Sequence, residues 1–484
     1  MIELHDIPSS WVWAQFGDVA EVAAHLVDPA DFPDSPHIAP NHVESGTGKL
    51  LQYRSIREDG VTSPKHRFFA GQLIYSKIRP YLAKVIDSPI EGLCSADMYP
   101  INSRIERRYL FYWMLSSSFT RQASERQART VLPKINERAL RGISVPVPPL
   151  AEQHRIVAAL EELMSRWASG VAELSAVARR ADRFRDQIMY LAGLGRLGSA
   201  HLKGSATRPQ PAGVVDGNLP DIPETWQWKR LGEIADVIGG VTKDAKRQSD
   251  PDFVEVPYLR VANVQRARLD LSEVTCIRVP PKKAEQLRLL PGDVLLNEGG
   301  DRDKLGRGWV WEGQIPDCIH QNHVFRARIR GGVLQPKLLA WHANGFGRRW
   351  FEVNGLQSVN LASISLAKMR QFPVPIPPVA EQYGMVQAAE TYLSQLDGME
   401  KAVSVARQEA VALRASLLAE AFGGRLVPQD PNDEPAAELL ARIRAEREAA
   451  PPKQRARARR TNKELPAPPT RVTGGDYQQE TLPL

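Results

Sequence analysis

The side chains in this sequence that could carry covalent chemistry are not spaced to do it. His320 and His323 form an H-x-x-H pair, but no acid or third ligand accompanies them, and a zinc site needs three or four protein donors. The three cysteines, Cys94, Cys276 and Cys318, lie far apart and offer neither a disulfide framework nor a C-x-x-C clasp. A phosphate-cradling G-x-x-x-x-G-K-[ST] loop and a G-x-S-x-G nucleophile elbow are both missing. Pro-Pro occurs as Pro148-Pro149, Pro280-Pro281, Pro377-Pro378, Pro451-Pro452 and Pro468-Pro469, never between Asn or Asp and an aromatic residue, the arrangement that holds a flipped adenine for methylation. Asp221 with Asp244 and Lys246 comes nearest to a magnesium-holding nuclease set, but the three fall in an unsuitable loop. The sequence therefore reads as a binder rather than a catalyst.

Charge says what kind of partner to expect. The 484 residues carry 63 Lys and Arg against 56 Asp and Glu, a net +7 that favours a polyanion. Hydrophobic residues make up 43% and charged residues 25%, an ordinary globular balance, and the length calls for two or three domains. No apolar run approaches the roughly 20 residues needed to cross a bilayer. The opening MIELHDIPSSW has neither a basic n-region nor an apolar core, so a cytoplasmic protein with no membrane partner is expected.

The elements that must position the binding groups come in two copies. Ile7-Pro8-Ser9-Ser10-Trp11-Val12-Trp13 aligns without gaps on Ile222-Pro223-Glu224-Thr225-Trp226-Gln227-Trp228, an offset of 215 (222 minus 7). Pro146-Val147-Pro148-Pro149-Leu150-Ala151-Glu152-Gln153 recurs as Pro375-Ile376-Pro377-Pro378-Val379-Ala380-Glu381-Gln382, an offset of 229 (375 minus 146). The second copy therefore carries 14 extra residues between its blocks (229 minus 215). Between the blocks the copies share little beyond pattern, as where Gly71-Gln72-Leu73-Ile74-Tyr75 lies over Gly292-Asp293-Val294-Leu295-Leu296. A kept frame with varied contents suits two readers of different targets, and it also suits plain duplication followed by drift.

After each proline-rich block the apolar residues step by three or four. In the first copy Ile156, Leu160, Leu163, Trp167, Val171, Leu174, Ala178, Ala181, Ile188 and Leu191 form the stripe. In the second it is Val386, Ala389, Leu393, Leu396, Met399, Val403, Ala406, Ala410, Leu413 and Leu417. Such narrow stripes on helices of roughly 60 Å need a partner, and each helix is the natural partner of the other in an antiparallel coiled coil. Gly193 to Gly217 reads as a mobile connector, and Phe422-Gly423-Gly424 as a helix stop. A shorter helix starts in Asp433-Glu434-Pro435-Ala436, and the chain beyond Pro451 is expected to be disordered. Inside each copy, Leu73 to Tyr75, Val294 to Leu296 and His323 to Phe325 read as strands, while Tyr109 to Arg121 and Leu338 to Trp350 read as helices.

Together these features resemble the specificity subunit of type I restriction-modification enzymes, over residues 1 to about 448. The most specific parts are the paired I-P-x-x-W-x-W and P-x-P-P-[LV]-A-E-Q blocks and the run Ala421-Phe422-Gly423-Gly424-Arg425-Leu426-Val427-Pro428-Gln429-Asp430. Lys77-Ile78-Arg79-Pro80-Tyr81-Leu82 and Pro291-Gly292-Asp293-Val294-Leu295 also look like family signatures. The resemblance implies an α+β chain: two α/β target-recognition domains joined by two long antiparallel helices as a coiled-coil spacer, with an approximate two-fold internal repeat. The expected layout is a first recognition domain over residues 1–149, a spacer helix over 150–195, a linker over 196–219, a second recognition domain over 220–378, a second spacer helix over 379–425 and a C-terminal short helix with basic tail over 426–484. Each domain would read one half of a bipartite site in double-stranded DNA, with half-sites about one helical turn, ~34 Å, apart.

The same resemblance implies a complex with two modification (methyltransferase) subunits and two restriction (translocase and endonuclease) subunits. S-adenosylmethionine would sit in the modification subunits, ATP and magnesium in the restriction subunits, and no cofactor in this chain. The rival readings are a non-catalytic protein scaffold and a fused DNA methyltransferase or nuclease. The candidate DNA contacts of the first copy are Arg54, Lys77, Arg79 and Lys134, set among Tyr53, Tyr75 and Tyr81. Those of the second are Arg260, Asn263, Asn297, Arg302, Lys304 and Asn322. Arg and Lys suit guanine O6 and N7 or phosphate, and Asn suits adenine. The tail Lys453-Gln454-Arg455-Ala456-Arg457-Ala458-Arg459-Arg460 holds five basic residues in eight and is a candidate for contact with the DNA backbone.

Overall fold

The computed structural model describes residues 6–127, 133–197, 210, 213–244, 248–357 and 361–449. Its mixed helices and strands gather into two compact units, one made of Met1–Leu160 with Leu417–Leu484 and the other of Glu161–Ser416.

In the first unit Val12–Gln15 runs antiparallel to Ser144–Val147, so the strand that opens the repeat lies beside the strand that ends it. Between them the chain builds a four-stranded antiparallel sheet ordered Ala20–Val22, Met98–Ser103, Leu73–Ser76, Val85–Asp87. A five-stranded sheet follows the order Leu26–Val27, Lys65–Phe68, Gly92–Cys94, Pro36–Ile38, Arg54–Ser55, with Pro36–Ile38 and Gly92–Cys94 parallel. The second unit repeats this plan. Gln227–Arg230 pairs with Pro373–Ile376, a four-stranded sheet runs Ala235–Ile238, Val324–Ile329, Val294–Asn297, Gly308–Val310, and Val254–Leu259 lies parallel to Ile319–His320.

The pairing registers fix the correspondence between copies. Leu73 faces Ile101 in one sheet and Val294 faces Ala327 in the other, offsets of 221 (294 minus 73) and 226 (327 minus 101). The offset thus climbs from 215 to 229 in several steps, so the extra residues lengthen several loops instead of forming one insertion.

Two helices of 44 residues, α1 (Leu150–Gly193) and α2 (Val379–Phe422), follow the terminal strands. At ~1.5 Å per residue each is roughly 66 Å long. Within the second unit they touch in antiparallel order. Trp167 Nε1 donates to Ala410 O at 2.7 Å, Arg407 reaches Ser175 Oγ at 3.2 Å, and Arg185 bridges Asp397 at 2.5 Å and Glu400 at 3.1 Å. Residue numbers rise on one helix as they fall on the other. Most of the expected stripe faces inward, including Leu396 and Val403. Met399 and Leu413 do not: they are 47% and 54% exposed, because steps of three and four drift around a helix with 3.6 residues per turn.

Each unit is completed by the end of one long helix. In the first, the Phe422 ring lies 5.3 Å from Tyr109 and 5.0 Å from Trp113. In the second, Met189 and Ala192 enter the core that holds Trp341, Phe351 and Phe372. Gly424, at φ +70°, ends α2 in the left-handed conformation that a helix stop requires. A short helix, α3 (Ala436–Ala449), then buries Ala436, Leu439, Leu440 and Ile443.

The helices expected over Tyr109 to Arg121 and Leu338 to Trp350 are each broken in two, into Arg107–Leu115 with Ser117–Glu125 and Pro336–Asn344 with Gly347–Asn354. Ser116 ends one helix in extended backbone and caps the next by accepting from Phe119 N at 3.2 Å. Gly345 makes the equivalent break. The connector is tied at its ends: Gly193 belongs to α1, Leu194 is buried, and Asp216 holds Arg230 at 2.7 Å. Most of residues 198–212, and the tail from residue 450, including the basic run, lie outside the described residues.

The repeated motifs are structural clasps. Trp11 Nε1 donates to Glu152 at 2.9 Å, and Trp226 Nε1 donates to Glu381 at 3.0 Å. Gln153 accepts from Glu106 N and donates to Pro148 O, as Gln382 does with Gln335 N and Pro377 O. The tryptophan and the A-E-Q turn thereby pin the start of each repeat to the start of its long helix.

Candidate nucleic-acid interface

The same loop in both units gathers most of the candidate residues. In the first unit it joins Leu73–Ser76 to Val85–Asp87, and in the second it joins Val294–Asn297 to Gly308–Val310. Each loop carries one 3-10 turn, Pro80–Leu82 or Arg302–Lys304. Each is also stitched to the segment that precedes the last short helix. Ile78 bridges Lys134 in the first, and Gly299 pairs with Ser363 in the second, at offsets of 221 and 229.

The stitching brings Lys77, Arg79 and Lys134 together. Lys77 N donates to Asp97 O and its carbonyl accepts from Ile135 N, both at 2.9 Å, while Arg79 N donates to Pro133 O at 2.8 Å. Lys77 Nζ lies 5.1 Å from the centre of the Tyr99 ring, and Lys134 is paired with Asp97 at 2.9 Å. These two cations are partly spent inside the protein. Arg79 is exposed, stands in the left-handed region at φ +47°, and has no ion pair among the described residues. Arg54 sits apart, exposed on the edge strand of the other sheet, close enough to Glu58 to help lower its pKa behind the larger effect of the Ser55 hydrogen bonds.

In the second unit Arg302 is exposed and reaches Glu352 O at 3.2 Å, and Lys304 pairs with Asp301. Asn322, half-buried, lies next to His323, whose ring holds Glu298 at the start of the loop at 2.9 Å. Arg260 lies 3.7 Å from Glu273. Two candidates are corrected. Asn263, 3% exposed, closes its own turn by accepting from Arg260 N and donating to Asp270 O and Glu273 O. Asn297 is fully buried and donates to Val264 O at 2.9 Å. Both amides serve the fold, and neither is presented at a surface. Sequence reasoning missed Arg307 on the same loop, half-buried, with its pKa lowered first by desolvation and its Nε without a hydrogen-bond partner. Its signal was its position before the Gly308 strand, which only the register reveals.

The two loops differ in charge. Residues 77–84 hold Lys77, Arg79 and Lys84 with no acid, whereas residues 298–307 set Arg302, Lys304 and Arg307 against Glu298, Asp301 and Asp303. The first suits phosphate and guanine, and the second offers acceptors as well as donors.

His320 and two of the three cysteines are shut away, while Cys276 and His323 are exposed. His320 is fully buried, bonded through Nδ1 to Val324 O at 2.7 Å, and burial pushes its pKa down to about 4. Burial likewise pushes the Cys94 and Cys318 thiols up to about 12. Among the described residues no group of three or more His, Cys, Asp or Glu is placed to hold a metal ion, and no helix is long and apolar enough to cross a membrane.

Comparison with known proteins gives these loops a context. Residues 8–169 match the family model of the type I restriction modification DNA specificity domain. The EcoDI type I restriction enzyme specificity subunit of Escherichia coli is 49% identical over 195 residues, 40% of this chain and 44% of that protein, so the aligned region spans less than half of that relative's length. The StySPI specificity subunit of Salmonella potsdam is 27% identical over 354 residues, 71% of this chain and 72% of that one. A chain solved in work on complex assembly and conformational transition of the type I R-M system superposes with a TM-score of 0.67 at 21% identity, covering 87% of this chain and all of that one, a likeness of fold.

Proposed function

We propose that the chain is a type I restriction-modification specificity subunit, like the proteins it is similar to, and so the non-catalytic subunit that recognises the DNA sequence for methylation and cleavage. Each unit reads one half of a bipartite site in double-stranded DNA, and α1 and α2 act as the spacer that sets the gap and docks two modification subunits. Restriction subunits complete the assembly in the cytoplasm. S-adenosylmethionine belongs to the modification subunits and ATP with magnesium to the restriction subunits, so this chain supplies shape and contacts alone. The observation that carries the reading is the equivalence of residues 77–84 and 298–307: one loop position on one frame, with unlike side chains in its two copies.

At least one of Arg79 and Arg302 reads a base, with Arg54, Lys77, Lys134, Arg260, Lys304 and Asn322 as supporting contacts. Genome-wide mapping of methylated adenines with and without this chain tests the function: one bipartite motif should vanish when the chain is removed. Arg79→Ala or Arg302→Ala should cost about 1–3 kcal/mol of discrimination at one position of that motif. If both variants methylate at the wild-type rate and pattern, the assignment is wrong.

A further inference from the structure

We propose that Tyr81 is a DNA-stacking residue of the first unit, laying its ring against a nucleotide of that unit's half-site. The proposal rests on reading residues 77–84 as a DNA-facing loop. Its ground is a turn that is held rigid in order to lift one aromatic ring. Arg79 and Ala83, neither of them glycine, bracket Pro80–Leu82 with φ of +47° and +45°. Such backbone persists only where the surroundings over-determine it.

The constraints come from several sides. Arg79 N donates to Pro133 O at 2.8 Å, Gly46 N donates to Leu82 O at 3.0 Å and lies 3.3 Å from Ala83 O, and Lys84 Nζ reaches Pro40 O at 2.6 Å. Pro80 and Ala83 are buried, and the turn packs against helix Ser117–Glu125. With those residues facing inward, Tyr81 is left 52% exposed beside Arg79, without a ring or cation contact among the described residues.

A tyrosine fixed this way loses little freedom when it stacks, and its cationic neighbours draw the phosphate backbone toward it. A ring laid on a deoxyribose or on a base face opened in the stack reads no hydrogen-bond pattern, so Tyr81 supplies affinity while Arg79 supplies choice. The equivalent turn, Arg302–Lys304, has no aromatic residue, which confines this contact to the first half-site.

The test uses the full chain assembled with its modification subunits and a duplex carrying the mapped methylation motif. Tyr81→Ala should weaken binding roughly 5-fold to 100-fold, Tyr81→Phe should stay within about twofold of wild type, and the salt dependence should be the same for all three. A Tyr81→Ala complex within about twofold of wild type overturns the proposal, as does a Tyr81→Phe loss equal to that of Ala, which would assign the contact to the hydroxyl. Melting temperature is followed in parallel, and a loss of binding that tracks a loss of folding also overturns it. Should the wild-type complex fail to prefer the motif over a scrambled duplex, the DNA-recognition reading itself falls, an outcome distinct from a silent Tyr81.

Discussion

Removing the Glu152 carboxylate should loosen the first unit more than its counterpart loosens the second. Glu152 is 1% exposed and accepts from Trp11 Nε1 at 2.9 Å and from Gln429 Nε2 at 2.5 Å. In Glu152→Ala the indole N–H of Trp11, 4% exposed, is stranded because the carboxylate it loses is itself only 1% exposed, whereas the exposed Gln429 amide keeps Gly424 O at 3.3 Å and turns to solvent. Each donor left unsatisfied costs about 1–3 kcal/mol. Part of this is recovered because the carboxylate no longer pays for burial, the leading reason its pKa is raised. The net is about 1–2 kcal/mol, or roughly 2–8 °C of melting temperature for a unit of this size. Trp226 is as buried as Trp11, at 3%, but Glu381 is exposed, so water that takes its place reaches the indole N–H, and Glu381→Ala should cost under about 1 kcal/mol. Thermal unfolding of the full chain, followed by tryptophan fluorescence, measures both. A Glu152→Ala loss below about 1 kcal/mol, or one no larger than that of Glu381→Ala, would refute the clasp.

The second unit should be acid-sensitive through two histidines. Burial pushes His320 and His342 down from 6.5 to about 4, so both are neutral in the native state. A folded pKa below the unfolded one means that their stabilisation is complete above pH 6.5 and drains away as pH falls toward 4. Unfolding midpoints across that window should drop steeply, and replacing both residues by Gln should flatten the slope; an unchanged slope would assign the acid sensitivity elsewhere. Trp167→Ala removes the bond to Ala410 O and the ring under the Arg414 guanidinium. Urea unfolding should show a loss of about 2–3 kcal/mol, and a neutral result would mean that the two helices do not hold each other at this point.

The frame was legible and the reading surface was only partly so. Tryptophans at one spacing, the A-E-Q turns and the Leu73 over Val294 alignment all stand in the registers that the repeat implies, because a strand pairing shifted by one residue would turn every buried side chain outward. The helix breaks at Ser116 and Gly345 were invisible in apolar periodicity, which continues straight through them. Asn263 and Asn297 have the composition of a base reader, yet a turn and a strand end consume their amides. What distinguished Arg79 from Lys77 was local: one is exposed in a left-handed turn, while the other lies against Tyr99.

The first unit is closed by residues from the far end of the chain. Phe422 completes the Tyr109 and Trp113 cluster, Gln429 bonds both Glu152 and Ser10, Asp433 holds Arg155 at 2.6 Å, and Ala436 N meets Ser10 O. On the ribosome, Gln429 emerges 418 residues after Trp11 (429 minus 11), roughly 20–80 s later at ordinary rates of synthesis. The unit contained in Glu161–Ser416 has its whole sequence in hand before then. The half of the protein translated first is therefore the half that finishes folding last, and its Tyr109 and Trp113 cluster stays open until Phe422 has been made.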